Sequence, residues 1–289
     1  QPKGWDLPID YRHTFKNGLH FGVTASVADD KTEVTKWTYN TKIPSYGATG
    51  WWDKSAYKEG MVLGDIWGLQ FDRFLTEDDF NADGSLKAGL PDQTKVFPAG
   101  YQFAPGDVLY KDLDNNGEIV KQTNTNDKGD LSVIGNALPR LQFGLNLDAA
   151  WKGFDISMFF QGVAKRKLWA AGNQVLPGFT TGEPFYKGAE DYWTPENTDA
   201  FYPRPMDYKQ SASGNYSVND RYLLNMAYLR LKTFTVGYSL PKVWLSKFKV
   251  QGLRVYFTGE NLFTIDGVKP AIDPEIGIRT ASGKSDQRN

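Results

Sequence analysis

The clearest pattern in the chain is a strict alternation of apolar and polar residues near its centre. From Leu141 to Trp151 every second residue is apolar or aromatic, and after Lys152-Gly153 the alternation resumes from Phe154 to Gln161. A period of two predicts strands with one apolar and one polar face, and two such runs joined by two residues predict a hairpin. Each run has about the ten residues that a tilted membrane-spanning β-strand needs.

Four further stretches alternate in the same way, so that six strands are predicted in all. They are Trp5–Arg12, Leu19–Val27, Ala227–Leu240 and Leu253–Glu260. In the fifth strand the parity of the apolar residues changes near Lys232-Thr233, which predicts a β-bulge. Pro8 is unusual inside a strand because proline cannot donate a hydrogen bond to the ladder, so the pairing around it is in question.

The connections between these strands alternate in length. They are in turn short, very long (residues 40–139), short, very long (164–226) and of middling length (241–252), and an irregular tail follows. In an up-and-down sheet all the long connections then lie at one end, as they do in outer-membrane barrels. A soluble sandwich has the same strand pattern, but it has no reason for this asymmetry.

A closed membrane barrel needs about eight strands at least, and an open sheet edge in lipid leaves backbone groups without partners. The six strands are therefore expected to be part of a larger barrel. Aromatic residues near the strand ends fit the interfacial girdles of such a barrel. They are Trp5, Tyr11, Trp151, Tyr238 and Phe263.

Composition narrows the alternatives. The net charge of −1 gives no basic excess, so a nucleic-acid partner is not expected. There is no apolar run of about 18 residues that could form a membrane-spanning helix. Cysteine is absent, which excludes disulfides, thiolate metal sites and cysteine nucleophiles. Aromatic residues make up 15% of the chain and crowd the long connections, which predicts that these connections fold on themselves.

No catalytic motif is present, and we expect no enzyme activity and no required cofactor. The two histidines, His13 and His20, have no evident nucleophile beside them in the sequence. No nucleophile elbow, metalloprotease helix, P-loop or dinucleotide-binding pattern occurs. The many carboxylates leave a glycosidase pair open by number alone, but none of them stands out.

One acidic segment matches the first part of an EF-hand calcium loop. Asp112, Asp114 and Asn116 alternate before Gly117, so that side-chain oxygens wrap one ion and glycine permits the sharp turn. We take Asp112, Asp114, Asn116 and Glu118 as candidate Ca²⁺ ligands in an extracellular loop. The bidentate glutamate expected at the twelfth position is missing, so an Asx-rich turn without an ion is the alternative. A second segment from Asp79 to Asp83 repeats the spacing.

Exposed tryptophans of the long connections are candidate substrate contacts, since the apolar faces of sugar rings stack on aromatic side chains. The candidates are Trp51, Trp52 and Trp169. The alternative is that these rings pack the folded connections together or contact a partner protein.

The polar faces of the strands are expected to line a wet interior or simply to solvate the wall. The residues are Asp10, Arg12, His20, Gln142, Asn146, Asp148, Asp155, Gln161, Arg254 and Glu260.

Several longer stretches resemble the C-terminal part of SusC/RagA-type TonB-dependent outer-membrane transporters, and they occur in that family's order. They are YKEGMVLGDIWGLQFD (57–72), PGDVLYKDLDNNGEI (105–119), VIGNALPRLQFGLNLDAAWKGFDISMFFQGV (133–163), YWTPENTDAFYPR (192–204), YLRLKTFTVGYSLP (228–241), LRVYFTGENLFTIDG (253–267) and DPEIG (273–277). Together they span most of the chain.

The resemblance implies an all-β, antiparallel up-and-down barrel of about 22 strands in a Gram-negative outer membrane. Residues 1–289 would form one C-terminal portion of it, and the plug domain and the final strand would lie outside this chain. The implied function is import of oligosaccharides or peptides. The implied partners are a SusD-like lipoprotein lid, the TonB complex and outer-membrane lipid. The alternative is a soluble cell-surface β protein that binds or hydrolyses carbohydrate.

Overall fold

The computed structural model describes residues 1–36, 59–121, 129–170, 172, 175–178, 186–206, 214–268 and 272–275. None of the helices within these ranges is long and apolar enough to cross a membrane. The strands are β1 (Pro2–Thr14), β2 (His20–Thr32), β3 (Asp65–Gly68), β4 (Phe71–Phe74), β5 (Val108–Tyr110), β6 (Ser132–Asn136), β7 (Arg140–Trp151), β8 (Phe154–Lys165), β9 (Lys167–Leu168), β10 (Leu224–Asn225), β11 (Tyr228–Ser239) and β12 (Arg254–Asp266).

Six long strands form one antiparallel sheet in the order β1-β2-β7-β8-β11-β12. These are the six predicted strands, and each pairs with the next one along the chain. The all-β, up-and-down arrangement is thus confirmed. The central hairpin turns at Lys152 and Gly153, whose φ angles of 49° and 90° are both left-handed. Two left-handed residues define the type I′ turn, whose twist matches that of the flanking strands.

The register places the apolar residues of all six strands on one face. Along one row, Tyr11 pairs with Val23, Val23 with Leu147, and Leu147 with Met158. The row continues through Phe234 of β11. Because side chains alternate between the faces of a sheet, a shift of one residue in any strand would have reversed its faces.

Two irregularities noted in the sequence have clear outcomes. Pro8 sits opposite Ser26 in an unbroken register between β1 and β2. Pro8 therefore does not disturb the pairing of β1 with β2. The predicted bulge is confirmed, because the register of β11 against β8 and β12 shifts between Leu231 and Thr233.

The buried core of the described residues lies mainly in the long connections and not on the sheet. One cluster is formed by the first long connection with parts of the second: Leu69, Phe74, Val96, Phe97, Val108, Tyr110, Ile119, Leu131, Trp193 and Ala200. A second cluster belongs to the second connection and includes Leu176, Tyr202, Tyr216, Tyr222 and Met226. The prediction that these connections fold on themselves is confirmed.

Three small two-stranded ladders stiffen the long connections: β3 with β6, β4 with β5, and β9 with β10. These ladders were not predicted, because strands of two to five residues are too short for a period to be recognised. Each ladder pairs two segments of one connection that are distant in the sequence.

The two long connections are also joined by a buried carboxylate. Asp107 accepts hydrogen bonds from Arg204 Nε at 2.8 Å and from Asn215 Nδ2 at 2.9 Å. Asn215 Oδ1 in turn accepts from the backbone N–H of Val108 at 2.7 Å. Asp107 is fully buried, so water competes little for its hydrogen bonds with Arg204 and Asn215.

Candidate functional site

The polar face of the sheet carries paired side chains that cross between strands. Thr24 Oγ1 donates to Asp10 Oδ2 at 3.0 Å, and Arg254 Nε donates to Asp155 Oδ1 at 3.0 Å across β11. These pairs confirm that the polar residues share one face. They make that face charged.

His20 has neighbours that the sequence does not reveal. Its Nδ1 lies 3.1 Å from Thr14 Oγ1, and its Nε2 lies 3.6 Å from Asp148 Oδ2. The three side chains come from β1, β2 and β7. All of them are at least partly exposed on the polar face.

A cavity with a volume of about 430 Å³ lies in the second long connection. That volume falls within the range of about 300–1,000 Å³ that is usual for small-molecule sites. The cavity is lined mainly by tyrosine and proline. Its lining is Pro177, Tyr186, Lys187, Ala189, Glu190, Tyr192, Tyr202, Pro203, Pro205 and Tyr216.

Short local structures hold these side chains in place. A parallel bridge joins Tyr192 to Tyr202, and 3₁₀ turns at Lys187–Ala189 and Gly214–Tyr216 bracket it. The hydroxyl of Tyr202 donates to the carbonyl oxygen of Val175 at 2.9 Å. Burial raises the pKa of Tyr216 well above its usual value, so this phenol stays neutral. Tyr186 and Tyr192, by contrast, are 44% and 40% exposed.

The cavity therefore combines two fixed, buried tyrosines with two exposed ones. Lys187 and Glu190 add one charge of each sign, so the lining has no net charge. Flat phenol rings, hydroxyls and opposite charges suit a ligand with apolar faces and many hydrogen-bonding groups. No binding motif marks this site, because its residues are spread from 177 to 216, although Tyr192 and Tyr202 lie in the stretch YWTPENTDAFYPR (192–204) quoted above.

The tryptophans proposed from the sequence have different outcomes. Trp51 and Trp52 lie outside the described residues. Trp169 is half-buried and packs against the cluster that contains Tyr202 and Tyr216. It thus supports the side chains that line the cavity, and its role as a substrate contact stays a prediction.

The structure brings Asp112 and Asp114 together with a third carboxylate, that of Asp130, within 4.8 Å of one another. Asp130 was missed in the sequence because it lies well beyond the loop motif. It is fully buried, and its oxygens accept backbone N–H groups of Leu113 at 2.7 Å and Val120 at 2.8 Å. Oxygen-rich groups of this kind suit Ca²⁺, but exposed Asx turns adopt the same geometry without an ion.

The other two candidate ligands are arranged differently. Glu118 does not join the three carboxylates and forms an exposed ion pair with Lys95. The Oδ1 atom of Asn116 accepts from the backbone N–H of Glu118 at 2.8 Å. The backbone N–H of Asn116 donates to Asp114 Oδ1 at 3.1 Å. The calcium site stays a prediction, now with Asp130 in its ligand set.

The second acidic segment is engaged within the protein. Both oxygens of Asp79 accept from the Arg73 guanidinium, at 2.6 and 2.7 Å. The hydrogen-bonded ion pair with Arg73 lowers the pKa of Asp79 to about 2. This carboxylate therefore fixes a turn in the first long connection.

The six-stranded sheet, with one apolar and one polar face, has the architecture of a protein class. That class is the antiparallel up-and-down β-barrel, of which this sheet is a part. The comparisons agree with this class. TonB-dependent receptor P3 of Formosa agariphila is 26% identical over 99% of the chain, and TonB-dependent receptor P26 of the same organism is 34% identical over 56%. TonB-dependent receptor SusC of Bacteroides thetaiotaomicron is 25% identical over 69%.

The fold matches solved transporter structures. The structure of the RagAB peptide transporter superposes with a TM-score of 0.62, at 18% identity over 93% of this chain. No family model matches the sequence. The resemblance to SusC/RagA-type TonB-dependent receptors is confirmed. The chain spans 26% of the length of receptor P3 and 25% of the matched RagAB chain, so it is similar to a part of such proteins.

Proposed function

We propose that this chain is the C-terminal part of the barrel of an energised importer in the outer membrane of a Gram-negative cell. The importer takes up oligosaccharides or peptides, draws energy from the TonB complex and works with a SusD-like surface lipoprotein. A plug domain and a final strand lie in other parts of the same protein. The chain itself catalyses no reaction.

The observation that carries this proposal is the in-register apolar face of the six-stranded sheet. On the interior strands, Phe21 of β2, Phe154 of β8 and Val236 of β11 lie on this face and are 37%, 60% and 37% exposed. Apolar surface of this extent is costly in water and is stabilised in the hydrocarbon of a bilayer. The opposite face, with its ion pairs, then lines the aqueous path.

The tyrosine-lined cavity is the proposed substrate contact in this part of the protein. It belongs to a long connection, and long connections of outer-membrane barrels lie on the outer side, where substrate arrives. Its neutral, aromatic and hydrogen-bonding lining suits a sugar ring or a peptide segment, which are the substrate classes of the proposed importer.

Uptake by the full-length protein tests the function. Cells that express it should accumulate labelled oligosaccharides or peptides that are too large for porins. A protonophore should abolish this uptake, since TonB draws on inner-membrane energy. Uptake that continues with the protonophore present, or a protein that leaves the membrane without detergent, would rule out the importer and favour the soluble carbohydrate-binding alternative.

Partner capture tests the second part of the proposal. Detergent-solubilised full-length protein should purify together with a lipoprotein of the SusD type, identified by mass spectrometry. A protein that purifies alone, from membranes in which that lipoprotein is abundant, would argue against the lid.

Substitution of the exposed tyrosines tests the cavity. Tyr186→Ala and Tyr192→Ala should each weaken binding of the transported substrate by roughly tenfold, since each loses an aromatic contact worth about 1–1.5 kcal/mol. Val133→Ala is the matched control, because Val133 is 48% exposed and lies outside the cavity. Unchanged affinity in both tyrosine variants would remove the cavity from the binding path.

A further inference from the structure

The connection between β11 and β12 presents apolar side chains to solvent. It contains helix α1 (Lys242–Leu245), and it closes with a backbone hydrogen bond of 2.9 Å from Leu240 N to Leu253 O. Leu245 is buried and anchors the turn. Val243 and Trp244 nevertheless are 75% and 59% exposed.

The charges of this connection all have one sign. Lys242, Lys247 and Lys249 are exposed, and residues 240–253 contain no aspartate or glutamate. The other two short connections repeat the pattern, since each contributes a lysine, Lys16 and Lys152, and no acidic residue. The first long connection, at the opposite end, contains more acidic than basic residues, and the second contains both signs in equal number. The three short connections, by contrast, carry only positive charge.

The exposed apolar residues continue the apolar face of the sheet. On β12, Val255 and Phe257 lie on that face, and Leu253 has the same parity one step before Val255. Leu253 and Val250 are 48% and 42% exposed, so exposed apolar side chains occur on both the strand and the connection. At the same end, Lys152 Nζ lies 4.4 Å from the centre of the Trp151 ring, and Trp151 Nε1 donates to Asn17 O at 3.2 Å.

We propose that the β11–β12 connection lies in the headgroup layer of the bilayer and binds anionic phospholipid. Val243 and Trp244 insert at the boundary of the acyl chains, while the three lysines contact headgroup phosphates. The combination of an apolar tip, an aromatic ring and uncompensated lysines is the one that holds peripheral segments at anionic membranes. The proposal rests on the membrane location proposed above and adds a specific lipid contact to it.

Depth measurement in the full-length protein tests this placement. A nitroxide spin label is attached at Val243→Cys after any cysteine elsewhere is replaced by serine; this chain has none of its own. In bilayers with phosphatidylglycerol, the label should be accessible to oxygen and shielded from a water-soluble nickel chelate. A label that contacts solvent would be accessible to the chelate, and a label covered by protein would be shielded from both reagents. Either of the last two results would overturn the proposal.

Two reference sites separate this proposal from the one on which it rests. A label at Phe257→Cys reports on the apolar face, and a label at Ser85→Cys reports on the exposed tip of a long connection. If position 257 is in lipid and position 243 is not, the lipid contact fails and the importer stands. If neither position is in lipid, the membrane location itself fails.

The lysines are tested by charge removal. Lys242→Gln, Lys247→Gln and Lys249→Gln are combined and compared with a matched triple variant at Lys36, Lys87 and Lys111, which are exposed on the long connections. Retention of phosphatidylglycerol by the purified protein should fall by roughly fivefold per lysine in the first variant and stay unchanged in the second. Equal retention in both would overturn the headgroup contact.

Inorganic phosphate distinguishes binding of a phospholipid from binding of a phosphate ion alone. Inorganic phosphate should not change the depth of the label at position 243, because the contact needs the acyl chains as well as the charge. A shift of the label caused by inorganic phosphate alone would show an ion site instead of a lipid contact.

Discussion

Gly162 on β8 pairs with Phe143 on β7, and the Phe143 ring lies over it. A Cβ atom at this position would lie 2.3 Å from Phe143 Cζ and 2.5 Å from the carbonyl oxygen of Tyr228. The second contact is with backbone, which cannot move without distorting the ladder to β11. Glycine therefore permits a large aromatic ring to cover the strand and keeps three strands in close register.

We expect Gly162→Ala to destabilise the full-length barrel by about 1–3 kcal/mol through overpacking. Gly144→Ala in the neighbouring strand is the control, since its Cβ would lie 3.3 Å from Ser26 Oγ and no closer than 3.6 Å to the Phe159 ring, and it should cost less than about 1 kcal/mol. Each purified variant is heated to a series of temperatures and then run on an SDS gel. The measurement is the temperature at which the compact, fast-migrating band is lost. Equal temperatures for both variants would contradict the packing described here.

The lowered pKa of Asp79 predicts how the free energy of unfolding depends on pH. Its folded pKa, about 2, lies below its ordinary value of 3.8, because of the hydrogen bonds from Arg73. The stabilisation is therefore complete above about pH 4 and is lost as pH falls toward 2, and it amounts to about 2 kcal/mol.

The free energy of unfolding of wild type should exceed that of Asp79→Asn at pH 6, and the difference should shrink as pH falls to 2. Urea titrations followed by tryptophan fluorescence measure it. Asp78→Asn, an exposed neighbour, should show no such change. A difference for Asp79→Asn that grows toward low pH would contradict the sign.

At the scale of elements, the long connections behave as one folded layer, and the Asp107–Arg204 pair is one of the contacts that join them. Tyr101 adds to this contact by donating to Asp107 at 2.8 Å. Burial and the neighbouring carboxylate raise the pKa of Tyr101, so it remains a hydrogen-bond donor over the whole physiological range. The layer keeps the tyrosine-lined cavity in a fixed position relative to the first connection.

Arg204→Met should therefore loosen both connections, because it leaves the buried Asp107 carboxylate without its cation, at a cost of about 3–5 kcal/mol. Lys95→Met removes a cation from an exposed pair with Glu118 and should have little effect. Hydrogen exchange of the full-length protein should show lost protection at residues 104–108 and 214–216 in the first variant alone. Retained protection there would contradict the joining role of this pair.

Calcium binding belongs to the same scale, since Asp130 lies beyond the loop that carries Asp112 and Asp114. In calorimetric titrations with Ca²⁺, Asp112→Asn and Asp114→Asn should each weaken binding by roughly tenfold or more, as ligand charge sets affinity in such loops. Glu118→Gln should leave it unchanged, since that carboxylate pairs with Lys95. Absence of heat in wild type would mean that the loop is an Asx-rich turn.

For the whole molecule, the long strands could be predicted from the sequence because their alternation extends over about eight residues or more. The bulge near Lys232 was visible as a change of parity. The short ladders, the Asp107 pair and the tyrosine-lined cavity could not be predicted, because they join residues that are distant in the chain and share no period. Asp130 was missed for the same reason: the chain folds back to bring it beside Asp112.

The central claim is that the apolar face of the sheet contacts lipid and the polar face contacts water. Ile156 and Ser157 are consecutive on β8 and point to opposite faces. Single cysteines are placed at each position of the full-length protein, and cells are treated with a charged, membrane-impermeant thiol reagent. The cysteine at 157 should react and the cysteine at 156 should be protected; reaction at 156 with protection at 157 would contradict the account.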